Sequence, residues 1–213
     1  MRMSLRHWVL PSTNLNPSSN RVVDNLHIMP AVRGQAPHIA RLIMMAMSDD
    51  CCRHFCGPRH TLDDFYHMMT HLVEMEHSQY SYRNTLVAMI DGTLAGSLTC
   101  YDGALLRQLR EAFVDCAKRY LDRDFTDMDD ETGPGELYLD SMAVKPEYRH
   151  RGVATALLSA GIDRARSLGI PLAGLLVDKG NRDAERLYGQ LGFTRVDDTT
   201  WAGHPMRHLV IST

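Results

Sequence analysis

Residues 137–165 (LYLDSMAVKPEYRHRGVATALLSAGIDRA) constrain the fold more than any other stretch of this chain. Residues 137–144 alternate aliphatic, aromatic and small side chains as an extended strand does. Pro146 stops that strand, because proline has no amide hydrogen to give to a ladder. Arg149, His150, Arg151 and Gly152 make a compact basic turn, after which Val153, Ala156, Leu157, Ala160 and Ile162 recur at helical spacing. A strand feeding a glycine turn and a helix start is a natural anion cradle. The first amides of the helix have no partner within it, and the helix dipole favours negative charge. Glycine allows close approach of the backbone to bound oxygens. Arg149 and Arg151 are placed to add charge-assisted hydrogen bonds. The turn lacks the Lys-Ser ending of a P-loop, and no G-x-G-x-x-G occurs.

The pattern Arg149-x-x-Gly152-x-Ala154, directly after the strand ending Met142-Ala143-Val144, narrows this reading. It resembles the pyrophosphate-binding motif of the GNAT superfamily, the GCN5-related N-acetyltransferases, written Q/R-x-x-G-x-G/A. A second stretch, 181–193 (NRDAERLYGQLGF), resembles that family's N-x-x-A-x-x-L-Y-x-x-x-G-F segment. Asn181, Ala184, Leu187, Tyr188, Gly192 and Phe193 are in register with it. Together the two motifs make the resemblance specific over residues 136–196, and upstream it is one of pattern only. The resemblance implies an α/β chain, an α+β three-layer sandwich of the acyl-CoA N-acyltransferase fold, with a mixed central sheet flanked by helices.

The same resemblance implies acetyl-CoA as co-substrate and no metal. It places the pantetheine beside Met142, Ala143 and Val144. It places the pyrophosphate on Arg149, His150, Arg151, Gly152, Val153, Ala154 and Thr155, with further contacts at Asn181 and Tyr188. His150-Arg151 stands where many members carry glycine or lysine, yet still supplies amides and charge. Tyr188 matches the tyrosine that protonates the leaving thiolate, and a phenol of ordinary pKa near 10 suits that step. Asn181 also suits a helix N-cap. For the general base, strand alternation puts Glu136, Tyr138 and Asp140 on one face. Some members carry a glutamate at the place of Glu136, which makes it the first candidate and Asp140 the second. A water chain with no dedicated base is a third arrangement found in the family.

A chain of 213 residues with 44% hydrophobic side chains suits one domain with a real core. We expect residues 1–24, rich in Pro, Ser and Asn, to be a loosely ordered extension, and 25–213 to form a single acetyltransferase domain. A net charge of −3 without a basic patch points away from nucleic acid and anionic membrane. No apolar run approaches the roughly 20 residues of a spanning helix, and the N-terminal apolar stretch is too short and broken for a signal peptide. Five cysteines, an odd number, suit a reducing cytoplasm. Thirteen methionines read as core filler.

Along the chain, 25–32 reads as a strand and 37–47 as a helix. Cys51, Cys52, His54, Cys56 and His60 carry zinc-ligand chemistry at spacings zinc sites do not use, so they read as buried thiols between two helices. Thr61-x-x-Asp64 opens a helix with a capping-box pattern. Asp91-Gly92 joins two strands, 85–90 and 94–101, in a hairpin. Residues 104–121 form an amphipathic helix inserted relative to the minimal family plan. Residues 122–131 (DRDFTDMDDE) carry six carboxylates, which would attract a cationic amine if the run folds over the acceptor pocket. Strands are expected at 171–177, 193–196 and 206–211, with a loop at 197–205 that leaves Trp201 and His204 exposed or facing the pocket.

The expected activity is therefore transfer of an acetyl group from acetyl-CoA to a primary amine of a small molecule, by direct attack. Two other readings stand beside it: an N-terminal acetyltransferase of proteins or peptides, and a catalytically silent acyl-CoA-binding domain. Dimers are frequent among such enzymes, so a homodimer is an open expectation.

Overall fold

The computed structural model describes residues 25–201 and 203–213. The extension expected at 1–24 lies outside them. In chain order the elements are β1 (Leu26–Pro30), α1 (Ala36–Met47), α2 (Asp49–Cys56), α3 (Leu62–Glu74), β2 (Thr85–Ile90), β3 (Thr93–Asp102), α4 (Leu106–Leu121), β4 (Glu136–Val144), α5 (Val153–Leu168), β5 (Leu172–Asp178), α6 (Arg182–Leu191), β6 (Thr194–Trp201) and β7 (His204–Ser212). Seven strands make one mixed sheet in the order β1-β2-β3-β4-β5-β7-β6. β4 and β5 run parallel, and the other neighbouring pairs are antiparallel.

Helices cover both faces. On one, Val153, Leu157, Leu158, Ile162 and Ala165 of α5 pack against Leu98, Leu137 and Leu139. Each of the valine, leucine and isoleucine side chains, fully buried, stabilises the fold by about 1.5–3 kcal/mol relative to exposure. Gly161 lets the helix approach closely, since a Cβ there would stand 2.8 Å from Leu98 Cδ2. On the other face lie Ile39 and Leu42 of α1, Met68 and Leu72 of α3 and Phe113 of α4. Met68 and Met69 are fully buried, filling the core as the composition implied.

The capping box forms with aspartate in place of glutamate. Thr61 Oγ1 accepts from Asp64 N at 3.2 Å, and Asp64 Oδ2 accepts from Thr61 N at 2.8 Å. The cysteine segment differs from the expected linker, because it is itself a helix, α2. Ser48 Oγ accepts from Cys51 N at 3.4 Å, and Asp49 and Asp50 sit in the first turn, where negative charge favours a helix. Residues 197–205, expected as a loop, mostly continue β6 and β7. β6 is a solvent-exposed edge strand, so its sequence (TRVDDTTW) carries no apolar alternation to betray it.

Helix α4 is clamped by aromatic rings. Phe113 meets Phe55 of α2 at 5.5 Å and Phe125 at 5.8 Å between centroids. Phe125 belongs to the acidic run, and it also meets Phe55 at 5.1 Å. This cluster ties the run to the helical layer beside the sheet.

Candidate active site

The ladder between β4 and β5 is short. It pairs Glu136 with Leu172, Leu137 with Ala173 and Tyr138 with Gly174, and goes no further. Beyond it β4 stays on β3 and β5 stays on β7, up to Asp178 opposite Met206. The two strands fork, and their facing edges carry backbone groups with no partner across the gap. A bulge sits at the fork. Ser141 pairs with Thr99 and Leu139 with Cys100, so Asp140 has no partner of its own on β3. The extra residue shifts the alternation: Leu137, Leu139, Met142 and Val144 all pack toward α5.

At the end of β4 the cradle is formed. His150 and Gly152 both hold positive φ, 58° and 78°, and α5 starts at Val153. Arg149, His150, Arg151 and Gly152 are exposed. Arg149 Nε donates to Val144 O at 3.2 Å, and the Arg151 guanidinium stands 5.6 Å from the Tyr148 ring centroid. The two positive-φ residues curl the backbone around the free amides of the first helical turn, a shape and charge that fit a pyrophosphate. Ala154 is half-buried and Thr155 exposed on that turn, and Val153 is buried beneath it.

A cavity of about 330 Å³ occupies the fork. Its lining includes Tyr138, Asp140, Ser141 and Met142 from β4, Leu176 to Asp178 from β5, Asn181, Ala184 and Tyr188 around α6, and Trp201, His204 and Met206 from the last hairpin. Asn181 Oδ1 accepts from Ala184 N at 3.2 Å, so it caps α6 while facing the cavity. Tyr188 packs its ring on Phe193 at 5.8 Å between centroids. Burial pushes its phenol up to about 12, which keeps the proton on it at neutral pH. Ala143 and Val144 are cofactor candidates that do not line the cavity. Ala143 packs into the α1 side and Val144 toward α5.

The two base candidates part company. Asp140 lines the cavity and Glu136 does not. Sequence alternation alone placed them on one face, but the fork lies between them. Glu136 sits below it, where β4 still pairs with β5, and its carboxyl lies over Gly174. There Glu136 Oε1 accepts from Thr132 Oγ1 at 2.9 Å, and Oε2 meets His208 Nε2 at 2.8 Å. Asp140, above the fork, accepts from the Ser141 hydroxyl, and its Oδ2 lies 3.1 Å from the Tyr101 hydroxyl. Burial raises its pKa, against the pull of those hydrogen bonds.

Sequence reasoning did not single out several groups here. Glu131, the last residue of the acidic run, lines the cavity together with Tyr80 and Cys51. Glu131 is ion-paired with Arg110 of α4, and its Oε1 accepts from the Tyr101 hydroxyl at 3.1 Å. Burial first, then the charge of Asp140, pushes its carboxyl up to about 7. Among six carboxylates in one run, nothing local marks Glu131 as the buried one. The sole hint is Arg110 on the apolar face of α4, where a charge needs a partner.

Cradle, fork and cavity on a mixed seven-stranded sheet define a protein of the acyl-CoA N-acyltransferase fold. The family model of the GNAT acetyltransferases matches residues 45–193, and this chain belongs to that family. A mycothiol acetyltransferase of Thermobispora bispora is 47% identical over 64 residues, which are 30% of this chain and 21% of that protein. One from Propionibacterium freudenreichii subsp. shermanii is 36% identical over 88 residues, 39% of this chain and 28% of that protein. The match thus spans only 21% to 28% of the length of these curated relatives. Among solved structures, an N-acetyltransferase from Staphylococcus aureus Mu50 has a TM-score of 0.72 at 23% identity, covering 87% of this chain and 100% of that one. Another acetyltransferase has a TM-score of 0.73 at 24% identity, covering 87% and 98%. Both share the fold. No helix among the described residues is long and apolar enough to cross a membrane.

Proposed function

We propose that this protein transfers an acetyl group from acetyl-CoA to the primary amine of a small molecule by direct attack. The observation that carries the proposal is the fork between β4 and β5, which connects the anion cradle at one end to a carboxylate-lined cavity at the other. In this reading Arg149, His150, Arg151 and the amides of 152–155 hold the pyrophosphate. The free edges of β4 and β5 hold the pantetheine as an added strand would, at Met142 to Val144. Bound there, acetyl-CoA supplies an activated thioester carbonyl. Tyr188, neutral and facing the cavity, returns a proton to the departing sulfur. Asp140 is the base candidate of β4 that reaches the acceptor. Glu136 keeps a supporting role below the fork, bracing β4 against β7 through His208.

Family membership, and relatives that carry the name mycothiol acetyltransferase, support a small-molecule acceptor. A neighbour of the same fold, the NatC complex, was solved bound to a peptide and CoA, at 16% identity and a TM-score of 0.53. Here Arg110 of α4 holds Glu131, the end of the acidic run, at the cavity wall, which suits a compact cationic acceptor. The test is a calorimetric titration with acetyl-CoA, followed by thiol release measured against amines, polyamines, aminoglycosides and peptides. Binding with turnover on a small amine is the expected result. Binding without turnover on any acceptor would favour a silent acyl-CoA-binding domain, and no binding would overturn the reading.

A further inference from the structure

Tyr101 carries one hydroxyl hydrogen and faces two carboxylates. Its oxygen lies 3.1 Å from Glu131 Oε1 and 3.1 Å from Asp140 Oδ2. A single hydrogen serves one of these contacts well. The second becomes a hydrogen bond when one carboxyl takes up a proton and donates it to the phenol oxygen. Both carboxylates line the cavity, and among the described residues no lysine or arginine lines it with them. The arrangement is thus short of one proton, and the cavity is where that proton can enter.

We infer that Glu131 is a catalytic residue: Glu131, Tyr101 and Asp140 form one proton-accepting unit that binds the acceptor's ammonium and takes its proton. The inference rests on the acetyl-transfer reading above and names the substrate class, a protonated primary amine. Helix α4 and the acidic run after it build the unit. Arg110 of α4 is buried, pairs with Glu131, and also donates to Met128 O at 3.1 Å and Asp130 Oδ1 at 3.2 Å, which fixes the end of the acidic run. Arg110 is therefore a positioning residue. The groups that face Glu131 are Arg110 on α4, Tyr101 on β3, and Tyr138 and Asp140 on β4. Tyr80 from the segment before β2 also faces it, and Gln79 beside Tyr80 is buried next to Asp140. The three tyrosines stay neutral because burial raises their phenols well above the usual range. The like charges of Glu131 and Asp140 raise the affinity of the pair for one proton, so the two titrate as a unit.

The step balances. An N–H bond of the ammonium breaks and an O–H bond forms on the carboxylate pair. The freed electron pair on nitrogen forms the N–C bond at the thioester carbonyl. The C–S bond then breaks, the sulfur leaves with its electron pair, and it takes the Tyr188 proton. The amide nitrogen gives up its second proton through water to the tyrosinate, and the pair releases its own to solvent. The sum is one amide, one thiol and one proton.

The test compares the wild-type 213-residue chain with Glu131→Gln. CoA release is followed from pH 5.5 to 9 with 1,5-diaminopentane, tryptamine and glucosamine as acceptors, and acetyl-CoA binding is measured by calorimetry. In the wild type, activity is lost on the acid side as the pair takes up its proton. In E131Q, kcat falls about 100-fold and the acid limb moves to lower pH, because Asp140 has lost its like-charged neighbour, while acetyl-CoA affinity is kept. A merely structural role would lower activity at every pH and leave the limb in place, and that result overturns the inference. If E131Q does not fold, Tyr101→Phe keeps both carboxylates and removes only their bridge. A lowered kcat with a shifted limb is expected there, and an unchanged profile overturns the inference. A wild type that binds acetyl-CoA but acetylates none of the three amines overturns both this inference and the function on which it rests.

Discussion

Glu136 on β4 and His208 on β7 meet at 2.8 Å across the intervening strand β5, their contact lying over the bare backbone of Gly174. The hydrogen bond to Glu136 is the main reason that the imidazole pKa is raised above its usual value. A raised pKa means that the folded state holds the proton more tightly than the unfolded chain does. The stabilisation is therefore complete below the ordinary histidine pKa of about 6.5 and fades as pH rises through the folded value. We expect the gap in Tm between wild type and His208→Gln to be widest near pH 6 and to narrow toward pH 9. A gap that stays constant over that range would deny the linkage.

Gly103 stands against the backbone of Gly133, where an added Cβ would overlap the carbonyl oxygen and crowd Thr132 Oγ1. Gly133 follows Glu131 by two residues, so Gly103→Ala pushes the end of the acidic run away from its place. We expect kcat for the amine to fall about tenfold, since overpacking of this kind shifts the backbone and misplacement at a reacting site is costly. Acetyl-CoA affinity should be unchanged, because the cradle is remote. Equal losses in both, seen by calorimetry and steady-state kinetics, would contradict this.

Tyr188→Phe keeps the ring that packs on Phe193 and removes only the hydroxyl. Turnover should fall about 100-fold, while Tm and acetyl-CoA affinity stay near those of the wild type. Full activity in this variant would remove Tyr188 as the acid.

Arg149 and Arg151 are exposed beside the cradle, so replacing both with alanine should not cost the fold. We expect acetyl-CoA affinity to weaken by about tenfold or more, as hydrogen bonds to a charged group are lost. The salt dependence of binding should shrink with them. Titrations at two ionic strengths measure both effects.

Local rules made much of this protein legible. Proline, glycine and apolar period located β4, the turn at Arg149–Gly152 and α5, since each depends on neighbours within a few residues. The Asp91-Gly92 hairpin, the Thr61 capping box and the Asn181 cap were readable for the same reason. The motif around Asn181 to Phe193 put Tyr188 on α6, and the cavity receives it. β6 was shortened because an exposed edge strand needs no apolar face, and α2 was missed because its helix is carried by a cap and by burial of Cys52, Phe55 and Cys56 against other helices.

The sequence by itself determined most of the elements, the turn at the end of β4 and the family they resemble, because backbone geometry, caps and helix period are local. Only the tertiary structure decided which carboxylates line the cavity. Glu136 and Asp140 are four residues apart on one strand, yet the fork of β4 from β5 sends the first to His208 and the second into the cavity. Glu131 reaches Asp140 through Tyr101 because a buried arginine on α4 holds it there. Burial and the proximity of like charges are properties of the assembled layers, and they set the protonation of these groups where no local spacing can.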